Sequence, residues 1–497
     1  MTSPTGPLLL AIDQGTSATK AVLIDARGQI VDRGSSPLER TYPQPGWVEQ
    51  SAEDIWTSMG SAVAACLDGR NPADVAGIGL STQRESLLLW ERASHRPVGP
   101  MISWQDQRTA ADCARLRETG ADELVRTVSG LPLDPMFSAL KARWLLDQYD
   151  PDRVRSRHGE LCLGTVDSWL LTRLGGDHVI EVGNASRTQL LDVRRRAWDS
   201  RLLDLFGVPA EVLPTVLPSQ GPFGQTCGLV PLPDGVPIAA VMGDSHAALF
   251  AHAGWRGGQV KATYGTGSSV MGVVEPRVAV PEGLTLTIAW DADGPAYALE
   301  GNIRSTGATL SWLASCIDTT PEELARSAAD TSEGLHLVPA FSGLGAPWWD
   351  DEAVGLLTGL TFATRVPHIA RATLESIAFQ VEDVVAAVER DAGPVQTLLA
   401  DGGPTSNPVL MQLQADTSGR VVERATARDL SALGVAHLAG LSVGLWDWTG
   451  LESLERDRQV FRPAQDEATR TRRIAAWHDA VSRSRFRPVR RVTVASA

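Results

Sequence analysis

Asp13, Gly15, Thr16, Ser17 and Thr19 stand together between two apolar runs, LLLAI at 8–12 and AVLI at 21–24. A hairpin turn needs only glycine or asparagine at its tip, so the carboxylate and hydroxyls exceed what the turn requires. Backbone N–H groups of such turns, with Ser and Thr hydroxyls beside them, suit phosphate oxygens. A carboxylate next to phosphates commonly holds Mg²⁺, directly or through water. A turn of the same design, YGTGSS at 264–269, lies in the second half of the chain, again between apolar runs. Two such turns facing each other across a cleft could clasp the phosphate chain of a nucleotide. Taken singly, each is equally compatible with a plain hairpin. Neither is a Walker A loop, and no G-x-G-x-x-G follows the first strand, which weighs against a dinucleotide site.

The elements that must carry these turns alternate along the chain. GQIVDRGSSPLE continues the opening hairpin as a third strand, and SAEDIWTSMGSAVAACLDG reads as a helix capped by Ser51. VAGIGLSTQRESLLLW returns to a strand that ends at a polar corner. Later, PHIARATLESIAFQVEDVVAAVERD has the spacing of an amphipathic helix, and VQTLLADGG runs as a strand into a glycine corner. The pattern predicts an α/β chain with sheets covered by helices. Each half opens with a hydroxyl-rich hairpin, so two similar domains with a cleft between them are expected, 1–246 and 247–497.

Composition narrows the function classes. The chain has 497 residues, 43% apolar and 21% charged, with a net charge of −14. That acidity argues against a nucleic-acid partner, which needs a basic surface. The arginines Arg483, Arg485, Arg487, Arg490 and Arg491 read as a solvated tail. Five cysteines without C-x-x-C spacing suit reduced thiols and a cytoplasmic location, and offer no zinc site. The opening residues lack a basic n-region, and no apolar stretch is long enough for a membrane span.

Several longer segments carry a specific resemblance. GLLTGLTFATRVPHIARATLE at 355–375 fits one signature of the FGGY carbohydrate kinase family at every constrained position. MFSALKARWLLDQ at 136–148 fits the other except at Ala142, where a larger apolar residue is usual. YPQPGWVEQ, STQRES, GTVDSWLL, GNASRT, YGTG and FSGLGAPWWD follow in matching order and spacing. The chain resembles that family from Leu8 to about Leu451, and within it is most similar to the glycerol kinases.

The resemblance implies an actin-like ATPase (ribonuclease H-like) fold in both domains, with ATP, Mg²⁺ and a small polyol or sugar meeting in the cleft. Asp13, Thr16, Ser17 and Lys20 match the first phosphate segment, with Lys20 where arginine is usual. Thr266 and Gly267 match the second. Gly307, Gly403 and Asn407 match nucleotide contacts, and Ser311 stands where a glutamine is usual. Glycines in ADGGPTSN at 400–407 would let a flat adenine approach the backbone, and Asn407 could hydrogen-bond it. Arg84, Glu85, Trp104 and Asp244 match the acceptor contacts, with Asp244 in the place of the catalytic base. His246 beside it reads as packing, since the carboxylate already fills that role. The tandem Trp348 and Trp349 read as structural.

Departures cluster where the glycerol kinases shape their pocket. Met136 replaces a tyrosine, Ser245 a glutamine and Ser269 a phenylalanine, while Arg304 stands where an apolar residue is usual. These changes predict a four- or five-carbon polyol or ketose rather than glycerol, with Arg304 offering donors to a longer chain. Repacking that leaves glycerol as the substrate is the alternative. An actin-like ATPase with no small acceptor, or an inactive sugar-binding regulator, would fit the fold but not the acceptor set. The resemblance also allows a homodimer.

Overall fold

The computed structural model describes residues 6–487. Its first sheet has five strands in the order Ile238–Gly243, Val75–Thr82, Leu8–Gln14, Ala18–Ile24, Ile30–Pro37. Leu8–Gln14 runs antiparallel to Ala18–Ile24 and parallel to Val75–Thr82. Leu8 through Ile12 are all buried, which explains the unbroken apolar run: a strand covered on both faces has no polar side to alternate with.

The second sheet repeats this order and adds an edge strand at each side. Pro295–Ile303, Ser268–Val274, Gln259–Tyr264, Thr397–Asp401 and Val421–Ala425 lie side by side, flanked by Thr285–Asp291 and Arg458–Phe461. The senses match as well. Gln259–Tyr264 is antiparallel to Ser268–Val274 and parallel to Thr397–Asp401. The expectation of two related α/β units, each opening with a hydroxyl-rich hairpin, is met at the level of strand order and direction. The expected join at 246/247 falls inside the helix Asp244–Ala251, and the second sheet begins at Gln259.

The helix Ala52–Cys66 covers one face of the first sheet. Its cap is the expected one, with Ser51 accepting from the Asp54 amide at 3.2 Å. The other face receives the helix Leu430–Ser442, contributed from beyond the second sheet's first strands, and the helix Asp244–Ala251 packs against it. The two helices touch backbone to backbone: a Cβ on Gly434 would lie 1.7 Å from the Ala247 carbonyl oxygen. One apolar cluster spans the join. It takes Ala11, Val22 and Ile24 from the first sheet, Met271 and Ala298 from the second, and Phe250, Val435 and Leu438 from the helices between them. The halves are therefore joined by apolar packing on this side.

The arginines near residue 485 are not simply solvated. Arg485 Nε donates to Asp350 at 2.9 Å and Arg487 Nε to Glu352 at 2.8 Å. Arg490 and Arg491 lie outside the described residues. Trp349 donates to the Gly283 carbonyl at 2.8 Å, and Trp348 reaches Asp383 at 3.4 Å, which gives both indoles structural partners.

Candidate active site

Register alone brings the first group of residues together. Asp13 sits opposite Ser81, and Ser81 opposite Met242, so Asp244 emerges at the same end of the sheet. Ser81 donates to Asp13 Oδ1 at 3.0 Å. Burial, and then the neighbouring charge of Asp244, push the Asp13 carboxyl up to about 7, against the pull of Ser81 and Lys20. Two carboxylates thus lie at the same end of the sheet, where each disfavours the charge of the other. Trp104 Nε1 donates to the Thr16 hydroxyl at 2.9 Å, linking the first turn to the acceptor side. Ser17 is exposed at the tip. Lys20 is already paired: Nζ lies 2.9 Å from Asp429 Oδ1, and Arg33 Nε lies 3.2 Å from Oδ2. Asp429 starts the helix Leu430–Ser442, so this pairing ties the second half to the first turn.

The second turn is built against the helix Gly307–Cys316. The Thr266 carbonyl accepts from the amides of Thr306 at 2.9 Å and Ala308 at 3.1 Å, and the Gly265 carbonyl accepts from Gly307 at 2.9 Å. Thr266 is exposed, and a Cβ on Gly267 would meet the Ile303 carbonyl at 2.3 Å. Ser311 lies one turn along that helix and donates to the Gly307 carbonyl at 3.2 Å. The two glycines of the next corner differ. Gly402 has φ +97° and its Cβ would lie 2.0 Å from the Tyr264 carbonyl oxygen, whereas a Cβ on Gly403 meets nothing within 4 Å. Gly402 is required by the fold, and Gly403 faces open space. Asn407 caps the helix Pro408–Ser418, with Oδ1 accepting from the amides of Val409 at 2.9 Å and Leu410 at 3.3 Å. Only its Nδ2 remains for a base.

On the acceptor side, Asp244 begins its helix and accepts from the Ser245 amide at 2.6 Å. Arg84 Nε lies 3.5 Å from Asp244 Oδ1, with the arginine side chain 6% exposed and the aspartate 37%. Burial raises the Asp244 carboxyl above the usual range, opposed by Arg84 and reinforced by Glu85. Arg84 and Glu85 do not pair with each other. Arg84 grips Glu300 with two hydrogen bonds, 3.0 Å to Oε2 and 2.7 Å to Oε1. Glu85, at φ +62°, accepts from Arg187 Nε at 2.6 Å, and Arg187 Nη1 lies 2.8 Å from Glu300 Oε2. Glu300 also accepts from Ser269 Oγ at 2.8 Å. Despite burial, the two arginines hold the Glu300 carboxyl well below its ordinary value.

His246 belongs to this network. Its Nε2 lies 3.2 Å from Arg84 Nη1. A guanidinium can only donate, so Nε2 accepts and the ring proton sits on Nδ1. Burial and Arg84 keep the imidazole neutral, far below its ordinary range. Among the described residues, His246 Nδ1, Arg187 Nη2 and Asn302 Oδ1 are buried with no partner. Met136 donates its amide to Asp134 at 2.9 Å, and its carbonyl accepts from Lys141 Nζ at 2.6 Å. Burial pushes the Lys141 amine down to about 8. Arg304 is not the free donor expected from its sequence position, because Asp351, Asp134 and the Ser342 carbonyl occupy it.

Sequence reasoning named Asp13, Asp244, Arg84, Glu85 and Trp104 and missed Glu300, Arg187 and Lys261. Glu300 was visible as a lone carboxylate inside the apolar strand YALEGNI. Arg187 lies in GNASRT, a segment noted for its resemblance but given no role. Lys261 is fully buried and donates to the Ser245 carbonyl at 3.2 Å.

Comparison with known proteins identifies the family to which most of the chain belongs. Residues 8–251 match the N-terminal domain model of the FGGY family of carbohydrate kinases, and residues 260–443 match its C-terminal domain model. A glycerol kinase of Halorhodospira halophila is 44% identical over 487 residues, covering 96% of both chains. An apulose kinase of Pectobacterium atrosepticum is 42% identical over 492 residues, covering 97% of this chain and 99% of that one. The crystal structure of Plasmodium falciparum glycerol kinase with ADP superposes with a TM-score of 0.91 at 31% identity, over 98% of this chain and 100% of the other.

Proposed function

The chain belongs to the FGGY family of carbohydrate kinases, and from that premise we propose how it acts as a glycerol kinase-like, ATP-dependent kinase of a small polyol or sugar. ATP lies between the two turns, its phosphates against Thr16, Ser17 and Lys20 on one side and Thr266 and Gly267 on the other. The base lies over Gly403, beside Gly307 and Ser311, within reach of Asn407 Nδ2. The acceptor lies against Arg84, Glu85, Trp104, Met136 and Ser245. Asp244 takes the proton of a primary hydroxyl as that oxygen attacks the γ-phosphorus, and the bond from the γ-phosphorus to the bridging oxygen breaks to release ADP. A carboxyl raised by burial is a better proton acceptor than a solvated one, and the charge of Arg84 opposes that rise.

Mg²⁺ fits the donor set. Asp13 offers a carboxylate that burial, and then the charge of Asp244, push up to about 7. Among the described residues no group of three or more His, Cys, Asp or Glu side chains forms a protein cage. That is the usual situation for Mg²⁺ held by one carboxylate, phosphates and water. Asp13 would hold it, and its charge would offset that of the β- and γ-phosphates.

The observation that carries this reading is the placement of Asp13 and Asp244 at the tips of one sheet, with Arg84, just beyond its strand Val75–Thr82, and Glu300 of the other sheet closing behind them. The acceptor we favour has four or five carbons. Ser269 in place of a ring leaves space beside Glu300, and one close relative is an apulose kinase. A coupled ADP-release assay across glycerol, tetritols, pentitols and ketoses tests the function. ATP turnover that no polyol or ketose stimulates would refute it. We further infer a reducing, cytoplasmic setting, which the five unpaired cysteines support, three of them buried. No described helix is long and apolar enough to cross a membrane.

A further inference from the structure

Arg304 follows directly on the strand Pro295–Ile303 of the second half. Its Nη2 donates to Asp351 Oδ1 at 2.6 Å and reaches Asp134 Oδ2, in the first half, at 3.4 Å. Its Nη1 donates to the Ser342 carbonyl at 2.6 Å. A Cβ on Gly343 would stand 3.0 Å from that same Nη1, so the 342–343 backbone cradles the guanidinium closely. Asp351 Oδ2 in turn lies 3.4 Å from Arg117 Nη1 of the first half, and Arg117 also donates to the Leu133 carbonyl. Asp134 accepts from the Met136 amide at 2.9 Å. Two links therefore cross between the halves, and both lead to residues 133–136.

The Arg304 side chain is 26% exposed and that of Asp134 only 9%. A pair this covered is screened by salt far less than a surface pair, and leaving either partner alone in that environment is costly. The partners come from opposite walls, so the link exists only when the walls are close. Its donors are taken up by protein oxygens and are not free to bind an acceptor.

We propose that Arg304 is a positioning residue for the acceptor: through Asp134 it holds the segment 133–136 in place when the two halves close, without touching the acceptor itself. The proposal rests on the reading that Met136 lines the acceptor pocket. It gives the apolar-to-arginine change at 304 a physical purpose, since a polar clasp across the cleft replaces an apolar contact and fixes a wall that has lost its rigid tyrosine.

The test compares wild type with Arg304→Met, and with Asp351→Asn as a milder variant at a half-exposed position. Amide hydrogen exchange and steady-state kinetics are read side by side. In Arg304→Met, the Met136 amide is expected to exchange about tenfold faster or more. The acceptor KM should rise about fivefold or more while the ATP KM stays within about twofold. Asp351→Asn should shift both in the same direction by less. Unchanged Met136 exchange with an unchanged acceptor KM overturns the proposal. So does an equal rise in both KM values accompanied by a lower melting temperature, which would make Arg304 a general fold residue. If the wild type phosphorylates no polyol or ketose, the functional reading fails on its own, and the exchange comparison still reports whether Arg304 holds the segment.

Discussion

At Asp244, chemistry and architecture can be separated by one atom. Asp244→Asn keeps the size of the side chain and an acceptor for the Ser245 amide, but removes the proton acceptor. Loss of a general base is worth ~10²–10⁴ in rate, or roughly 3–5 kcal/mol of barrier. The variant should therefore lose nearly all turnover while binding ATP within a few-fold of wild type by calorimetry; retention of more than about a tenth of kcat would remove Asp244 from the base role. Glu300 behaves in the opposite way. It compensates Arg84 and Arg187 together, all three being buried. Glu300→Gln removes the carboxylate the two guanidinium groups share and leaves Arg187 with Glu85 and Arg84 with Asp244 alone, which should cost up to about 3–5 kcal/mol of folding stability in denaturant titration. A loss below about 1 kcal/mol would mean that water or another carboxylate takes over. Asp244 was legible in the sequence because a carboxylate directly after the apolar run IAAVMG must sit at a strand end. The partner of Arg84 was not, because nothing along the chain says which strand of a second sheet, more than two hundred residues away, will face it.

The hairpins that open the two halves were the most legible elements, since their apolar flanks and hydroxyl-rich tips are local patterns. The helix Leu430–Ser442 was not: Leu433, Val435, Ala436, Leu438 and Ala439 are all buried, so no polar face marks what it packs against. Its docking against the first sheet yields a pH prediction. His437 is buried in this helix beside Trp446, and burial pushes its imidazole down to about 3 from 6.5. The unfolded chain takes up that proton as the pH falls below about 6.5, and the folded chain does not until about 3. The stability that neutral His437 contributes is thus whole above about 6.5 and lost on acidification, at up to about 1.4 kcal/mol per pH unit. Between about pH 6.5 and pH 5, wild type should lose ~2 kcal/mol more unfolding free energy than His437→Leu. Parallel pH profiles for the two proteins would show the histidine to be hydrated. The glycine corner at 402–403 gives a second element-scale test. Gly402→Ala forces a side chain against the Tyr264 carbonyl at a positive φ and should destabilise the fold itself. Gly403→Val fills only open space, so it should leave the melting temperature nearly unchanged and weaken ATP binding more than acceptor binding. Equal losses for both ligands would show that Gly403 too is a fold position.

At the scale of the whole molecule, the halves are joined by a shared apolar core on one side and by charge pairs across the cleft on the other. Lys20 to Asp429, Arg84 to Glu300 and Arg304 to Asp134 each connect residues from different halves. Closure excludes water, which would otherwise compete as phosphoryl acceptor. The acceptor pocket is consequently a property of the assembled molecule. In the pocket we propose, Met136 and Ser245 would come from the first half and its following helix, and Ser269 and Glu300 from the second sheet. Its size could only be inferred from the sequence by comparing residue types, and the structure changes that argument in two ways. Arg304 no longer counts as a donor for a longer substrate, because protein oxygens occupy it. Ser269 gains weight, because its hydroxyl is tied to Glu300 of the neighbouring strand at 2.8 Å and so is held along its own sheet. Buried polar atoms without partners at His246 Nδ1, Arg187 Nη2 and Asn302 Oδ1 surround the same carboxylate network. They are closed off from solvent, so discrimination between acceptors would fall to the accessible polar groups, such as Asp244, whose side chain is 37% exposed. A three-carbon polyol has few hydroxyls to offer once one is at Asp244, whereas a four- or five-carbon polyol or ketose has more. Ranking kcat/KM across glycerol, tetritols, pentitols and pentuloses should therefore place the longer acceptors above glycerol by about tenfold or more, the difference one or two satisfied hydrogen bonds would supply. Ser269→Phe should reverse the order by closing the added space, lowering kcat/KM for the longer acceptors while leaving that for glycerol equal or higher. Glycerol leading the wild-type ranking by tenfold, with Ser269→Phe changing neither class, would show that neighbouring side chains fill the space and that the departures at 136, 245 and 269 are repacking around an unchanged substrate.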